Sequence, residues 1–123
     1  MEDHEVYPAI GEEGFRKVVA AFYRRVPMDE LLGPMYRDVT GAEERLRGFL
    51  IYRFGGPATY IEQRGHPRLR MRHAPFPVNQ AARDRWVELM MAALTEAQLP
   101  PRPKAILENF FHSTATFLIN QAD

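Results

Sequence analysis

The chain has 123 residues, enough for one domain with one substantial core. Its 16 basic and 16 acidic side chains cancel, so no global field recommends nucleic acid or an anionic membrane as a partner. It contains no cysteine, which excludes disulfides, thiolate metal sites, catalytic thiols and cofactor attachment through a C-x-x-C-H motif. Residues 1–10 carry little pattern and are expected to form a short helix or a loose arm. No apolar run there resembles a signal peptide. No stretch approaches the roughly 20 apolar residues that cross a bilayer, so a soluble cytoplasmic protein is the default expectation.

From Phe15 a helical period is clear, with Phe15, Val18, Val19, Phe22, Tyr23 and Val26 on one apolar face. Pro27 predicts a stop, and Gly33-Pro34 breaks the segment that follows into a single turn plus loop. Thr40-Gly41-Ala42-Glu43 reads as a capping box opening a second helix whose inner face is Ala42, Leu46, Phe49, Leu50 and Phe54. Gly55-Gly56-Pro57 ends it, and Ala58 to Gln63 allows another turn or two. Gly65 breaks the chain, and His66-Pro67 restarts it with proline at a first helical position. After Pro75 and Pro77, Asn79 is the expected cap of a helix presenting Trp86, Leu89, Met90, Ala93, Leu94 and Ala97. Pro100, Pro101 and Pro103 are expected to separate it from a last helix with Ile106, Leu107, Phe110, Phe111, Thr114, Phe117 and Leu118 on its stripe. No alternating strand pattern occurs, so residues 1–123 read as one all-α domain.

The stretch Arg64–Val78, RGHPRLRMRHAPFPV, is a local basic feature on a neutral background. His66 and His73 are seven apart and share a face if the helix is continuous. No Asp or Glu lies in the stretch to complete a zinc or iron site, and H-E-x-x-H is absent. A histidine on such a helix is more often structural than a ligand. His73 stands out because it precedes Ala74-Pro75, where free helical carbonyls can fix its tautomer and leave one ring nitrogen for iron. Arg64, Arg68, Arg70 and Arg72 read either as a solvated face or as partners for the two carboxylates of an iron porphyrin. Tyr23, on an inward face, carries a hydroxyl that needs a partner, and Trp86 is similarly placed. Phe22 and Phe49 are core or the walls of a cofactor pocket. A rival reading is a helical interaction domain that binds an acidic partner or RNA through Arg64–Arg72.

Taken together, the residues resemble the truncated haemoglobins, specifically their second group. The resemblance runs from about Ile10 to Asn120 and rests on Phe22-Tyr23, Tyr36, Ala42-Glu43-Glu44-Arg45-Leu46, Phe54-Gly55-Gly56-Pro57, the basic stretch through Phe76, and Trp86 thirteen residues past His73. It implies a globin-like two-over-two helical sandwich enclosing non-covalent haem b. It further implies His73 as the proximal iron ligand, Tyr23 as the distal tyrosine, Tyr36 as the aromatic at the haem edge, and Trp86 as the group's tryptophan. Ala42 and Leu46 would face bound ligand. Arg45 lies where the family reaches a propionate, with Arg72 and then Arg70 as further candidates. Leu69 is expected as the pocket floor and Phe76 as a wall, with Leu50, Phe54, Val78 and Met90 completing the lining. The early glycine pair common in the family is here Gly11-Glu12, with Gly14 nearby, which leaves the first interhelical turn open.

The expected function is reversible binding of oxygen, carbon monoxide, nitric oxide or another small ligand at ferrous haem. Tyr23, Tyr36 and Trp86 would stabilise oxygen and slow its release, which argues against bulk oxygen transport. The alternative is a haem redox enzyme, a nitric oxide dioxygenase or peroxidase. The chain carries no flavin domain and no dinucleotide-binding glycine motif, so that activity requires an external reductase. A monomer and a homodimer, the latter through Ile51 or Ile61, are both compatible with the sequence.

Overall fold

The computed structural model describes residues 1–36, 38–65 and 78–121, and among them five α-helices and no strand. Helix α1 spans Val6–Arg25 and follows directly on a 3-10 turn, Asp3–Glu5. Its start is docked: Val6 is fully buried, and the Tyr7 N–H donates to the Phe54 carbonyl at 2.9 Å. Gly11, with φ 66° and ψ 179°, a backbone conformation open to glycine at little steric cost, interrupts α1 and divides it into two helical segments. The first interhelical turn therefore sits at Gly11. Beyond it the face predicted from periodicity is buried at every position from Phe15 to Val26. Each such side chain removed from water contributes about 1.5–3 kcal/mol.

After α1 the chain makes 3-10 turns at Val26–Met28 and Gly33–Met35. Helix α2 spans Val39–Arg53, starting earlier than the sequence suggests. Its cap is Asp38, not Thr40: the Asp38 carboxylate accepts from the Gly41 N–H at 3.0 Å, leaving Thr40 inside the first turn. Helix α3 is short, Thr59–Arg64, and Gly65 follows with φ 73°. The predicted helix restart at His66-Pro67 lies outside the described residues.

Helix α4 spans Gln80–Ala97, and Asn79 caps it as expected, accepting from the Ala82 N–H at 2.9 Å. Helix α5 spans Pro101–Phe117, so Pro101 and Pro103 belong to its first turn rather than to a spacer. The N–H groups of a first turn have no intrahelical partner, so proline costs little there. Phe117 departs from its predicted stripe and is 56% exposed. Arg83 holds that last turn instead, donating at 3.0 Å both to Thr116 Oγ1 and to the His112 carbonyl. Ile51 is half-buried and packed on the core rather than exposed.

Helix α1 packs against α4 and α2, and α4 packs against α5. Where these helices meet, rings pass from one to the next through the core. Phe15 stacks on Phe54 (6.2 Å between centroids), Phe54 meets Phe110 edge-on (5.0 Å), and Phe110 meets Phe111 (5.6 Å). Phe111 then meets Trp86 (5.6 Å), and Trp86 meets Phe22 (5.0 Å). Tilted and edge-to-face rings at these spacings add attraction beyond their burial.

Candidate functional site

The chain of rings ends in a polar cluster. Tyr23 lies near the end of α1, Tyr36 directly follows the Gly33–Met35 turn, and Trp86 lies in the second turn of α4. Tyr23 meets Phe22 edge-on at 4.9 Å and Tyr36 edge-on at 5.7 Å. The Trp86 indole N–H donates to the Tyr36 hydroxyl at 3.2 Å. Because that hydroxyl is the acceptor, its own proton remains free to donate onward.

Tyr23 is 7% exposed, and its hydroxyl makes no hydrogen bond to another described residue. No fully buried side-chain polar atom among the described residues is left without a partner, so this oxygen keeps some access to the outside. Burial raises its pKa strongly, and the nearby Tyr36 raises it further, while Arg45 acts in the opposite direction. Burial also raises the pKa of Tyr36, opposed by the hydrogen bond from Trp86. Both phenols are therefore neutral, proton-carrying donors over the physiological range. Such an apolar wall, with two hydroxyl donors and one indole, suits a small ligand that accepts hydrogen bonds in a dry pocket.

Other predicted lining residues take different places. Phe22 is fully buried between Tyr23 and Trp86, and Met90 is fully buried one turn along α4 from Trp86. Leu46 and Ala42 are half-buried against the core, and Arg45 is half-buried beside them. Phe49 and Leu50 are buried, with the Phe49 ring 6.3 Å from Phe110. Phe54 sits further down the core, between Phe15 and Phe110, with Arg53 over its ring. The Val78 backbone pairs with Asn120 and Gln121. His66, Arg68, Leu69, Arg70, Arg72, His73 and Phe76 lie outside the described residues, as do the side chains of Arg64 and Ile61.

Of the four histidines, His4 and His112 are described and both are exposed. The His112 Nδ1 lies 2.8 Å from the Glu108 carbonyl. Among the described residues no group of three His, Asp or Glu is placed to hold a metal ion. A surface cleft of about 340 Å³, lined by Tyr7, Glu12, Glu44, Arg47 and Thr59 among others, touches none of Tyr23, Tyr36 and Trp86.

One feature beside the cluster escaped the sequence reading. Asp29 accepts from the Leu31 and Leu32 N–H groups at 3.0 and 2.8 Å and from the Arg85 guanidinium at 2.5 Å. An Asp two and three residues before the N–H groups it binds is a common turn pattern, so half of this arrangement was detectable locally. Its partner on α4 was not.

Comparison with known proteins agrees with this architecture. A sequence model of the bacterial-like globin family matches residues 5–120. Group 2 truncated hemoglobin YjbI of Bacillus subtilis (strain 168) is 36% identical over 118 residues, covering 95% of this chain and 89% of that protein. The crystal structure of a hemoglobin from the thermophilic phototrophic bacterium Chloroflexus aurantiacus superposes with a TM-score of 0.91 at 47% identity, covering 94% of this chain and 98% of that one. The truncated oxygen-avid haemoglobin of Bacillus subtilis gives a TM-score of 0.90 at 36% identity, with 94% and 98% covered.

Proposed function

The chain belongs to the bacterial-like globins and, among them, to the group 2 truncated haemoglobins with their two-over-two fold, and from that premise we propose that it is a high-affinity, slow-releasing binder of oxygen. Without cysteine, the haem is held non-covalently, as haem b, with His73 as its iron ligand. Haem supplies a ferrous iron with one open coordination position for a diatomic gas. The chain's own residues then decide what that position retains.

The observation that carries this reading is the Trp86–Tyr36 hydrogen bond beside the Tyr23 hydroxyl, which has no hydrogen-bond partner among the described residues, all within an aromatic wall. Tyr36 is oriented by accepting from Trp86, so its proton is available to a ligand. Tyr23 offers a second donor that has no competing partner among the described residues. A ligand on which electron density accumulates, as on oxygen, gains more from these donors than carbon monoxide does. Each such bond in a dry pocket is worth about 1–2 kcal/mol, roughly a tenfold effect on escape. Two supports come from outside the cluster. The described histidines are exposed, which supports a ligand from the basic stretch, and a relative at 36% identity is named oxygen-avid.

Arg45, Arg70 and Arg72 are assigned to the propionate carboxylates, where a fixed guanidinium fork suits a carboxylate. The test is the oxygen release rate of the haem-loaded ferrous protein beside that of a Tyr23→Phe, Trp86→Phe double variant. Release in the double variant is expected to be more than tenfold faster, and equal rates would remove the cluster from ligand retention.

A further inference from the structure

We infer that Asp29 and Arg85 form a latch that positions Tyr36 against Trp86, an inference that rests on the ligand-retaining role proposed for that pair. Asp29 is only 6% exposed at its side chain, and both its carboxylate oxygens are engaged. One oxygen takes the N–H groups of Leu31 and Leu32, and the other takes Arg85.

From there a continuous path of short backbone bonds leads to Tyr36. The Asp29 carbonyl accepts from the Gly33 N–H at 2.9 Å, the Leu32 carbonyl from Met35 at 2.9 Å, and the Gly33 carbonyl from Tyr36 at 3.2 Å. Leu32, at the middle of this path, is 2% exposed and anchors the turn in the core. On the other side, Arg85 and Trp86 are consecutive residues of α4. The Tyr36–Trp86 hydrogen bond therefore closes a ring whose far side is the Asp29–Arg85 pair.

Exposed ion pairs contribute little because two long side chains must be immobilised in water. Asp29 is different, since two backbone N–H groups fix its carboxylate independently of Arg85. The guanidinium is steered in turn by Glu88, 3.5 Å from its Nε. By contrast, the pairs of Arg24 and Arg25 with Glu96 also join the end of α1 to α4, but both of their acid–base partners reach solvent. They are the natural control.

The experiment uses haem-loaded protein with Arg85→Met, Arg85→Lys, Asp29→Asn and, as control, Arg24→Gln. Two readouts are taken: oxygen release, and the hydrogen-bond-sensitive indole band of Trp86 by ultraviolet resonance Raman. The band reports one residue because Trp86 is the only tryptophan of the chain. Arg85→Met is expected to weaken the indole hydrogen bond and speed oxygen release by about three- to tenfold, the range from partial to full loss of one such bond. Arg85→Lys is expected to recover part of both, and Arg24→Gln to move neither. If Asp29→Asn fails to fold, the two Arg85 variants carry the test. An Arg85→Met protein with native circular dichroism, an unchanged indole band and unchanged release overturns the latch. The indole band also reads the latch in protein that takes up no haem, so failure of the latch and failure of the haem reading are distinguishable.

Discussion

The Trp86 indole N–H donates to the Tyr36 hydroxyl at 3.2 Å, joining positions fifty residues apart at the polar end of an aromatic core. In this arrangement Trp86 acts on a ligand through Tyr36 as well as by itself. With the indole as its donor, the Tyr36 hydroxyl has one proton left and a restricted set of directions in which to give it.

Replacing Trp86 by Phe keeps an aromatic ring in contact range of Phe22 and Phe111 but removes the N–H. Oxygen release should accelerate about tenfold, with a smaller change for carbon monoxide. Stopped-flow displacement measures both. An unchanged oxygen rate would take Trp86 out of the retaining network.

Tyr23→Phe has a signature in stability as well as in ligand release. The raised pKa of buried Tyr23 means that the folded protein holds its phenol proton where the unfolded chain loses it. Stability therefore falls as pH rises above about 10, where free tyrosine ionises. Tyr36 acts in the same direction, and Arg45 and Glu43 are the nearby charges. The Phe variant should unfold at higher pH than the parent in alkaline titrations followed by circular dichroism. An identical or earlier alkaline transition would contradict the burial of Tyr23.

Asp29 contributes on the acid side. Its pKa is lowered first by the Leu32 N–H and then by Arg85, whose own charge is flanked by Glu30 and Glu88. Its stabilising contribution is thus full above the ordinary carboxylate range and is lost as pH falls through the lowered folded value. Asp29→Asn should be less stable than the parent at neutral pH, with the difference shrinking toward acid. Urea titrations at pH 7 and pH 3 check this, and a constant difference would contradict it.

The helices were legible in the sequence because each buries one face, and burial writes a period of 3.6 into residue choice. Asn79 was legible as a cap because its side chain binds an N–H only three residues ahead, at the start of the helix. The start of α2 was misread because Thr40-x-x-Glu43 is itself a good capping signal and outcompeted Asp38, whose geometry depends on the preceding turn. Pro101 and Pro103 look like breakers, yet in a first turn they break nothing. Tyr23 and Trp86 could be singled out individually, and Tyr36 only through the resemblance. Their mutual contacts could not, because these depend on how α1, the Gly33–Met35 turn and α4 pack. The pairing of Asp29 with Arg85, fifty-six residues away, was invisible for the same reason.

Gly55 tests the docking of the N-terminus. Its φ is +99°, and a Cβ there would lie 2.0 Å from the His4 carbonyl oxygen. Gly55→Ala should destabilise the fold by about 2 kcal/mol or more, from strain and from displacement of the Asp3–Glu5 turn. Thermal melting of the variant gives the value, and an unchanged midpoint would show that the turn is not held where Gly55 meets it.

The absorption spectrum of the purified protein tests the haem assignment most directly, read together with that of His73→Gly. The parent should show an intense Soret band, which His73→Gly weakens or abolishes and added imidazole restores. A colourless parent that takes up no haem, or a variant whose spectrum matches the parent without imidazole, would contradict it.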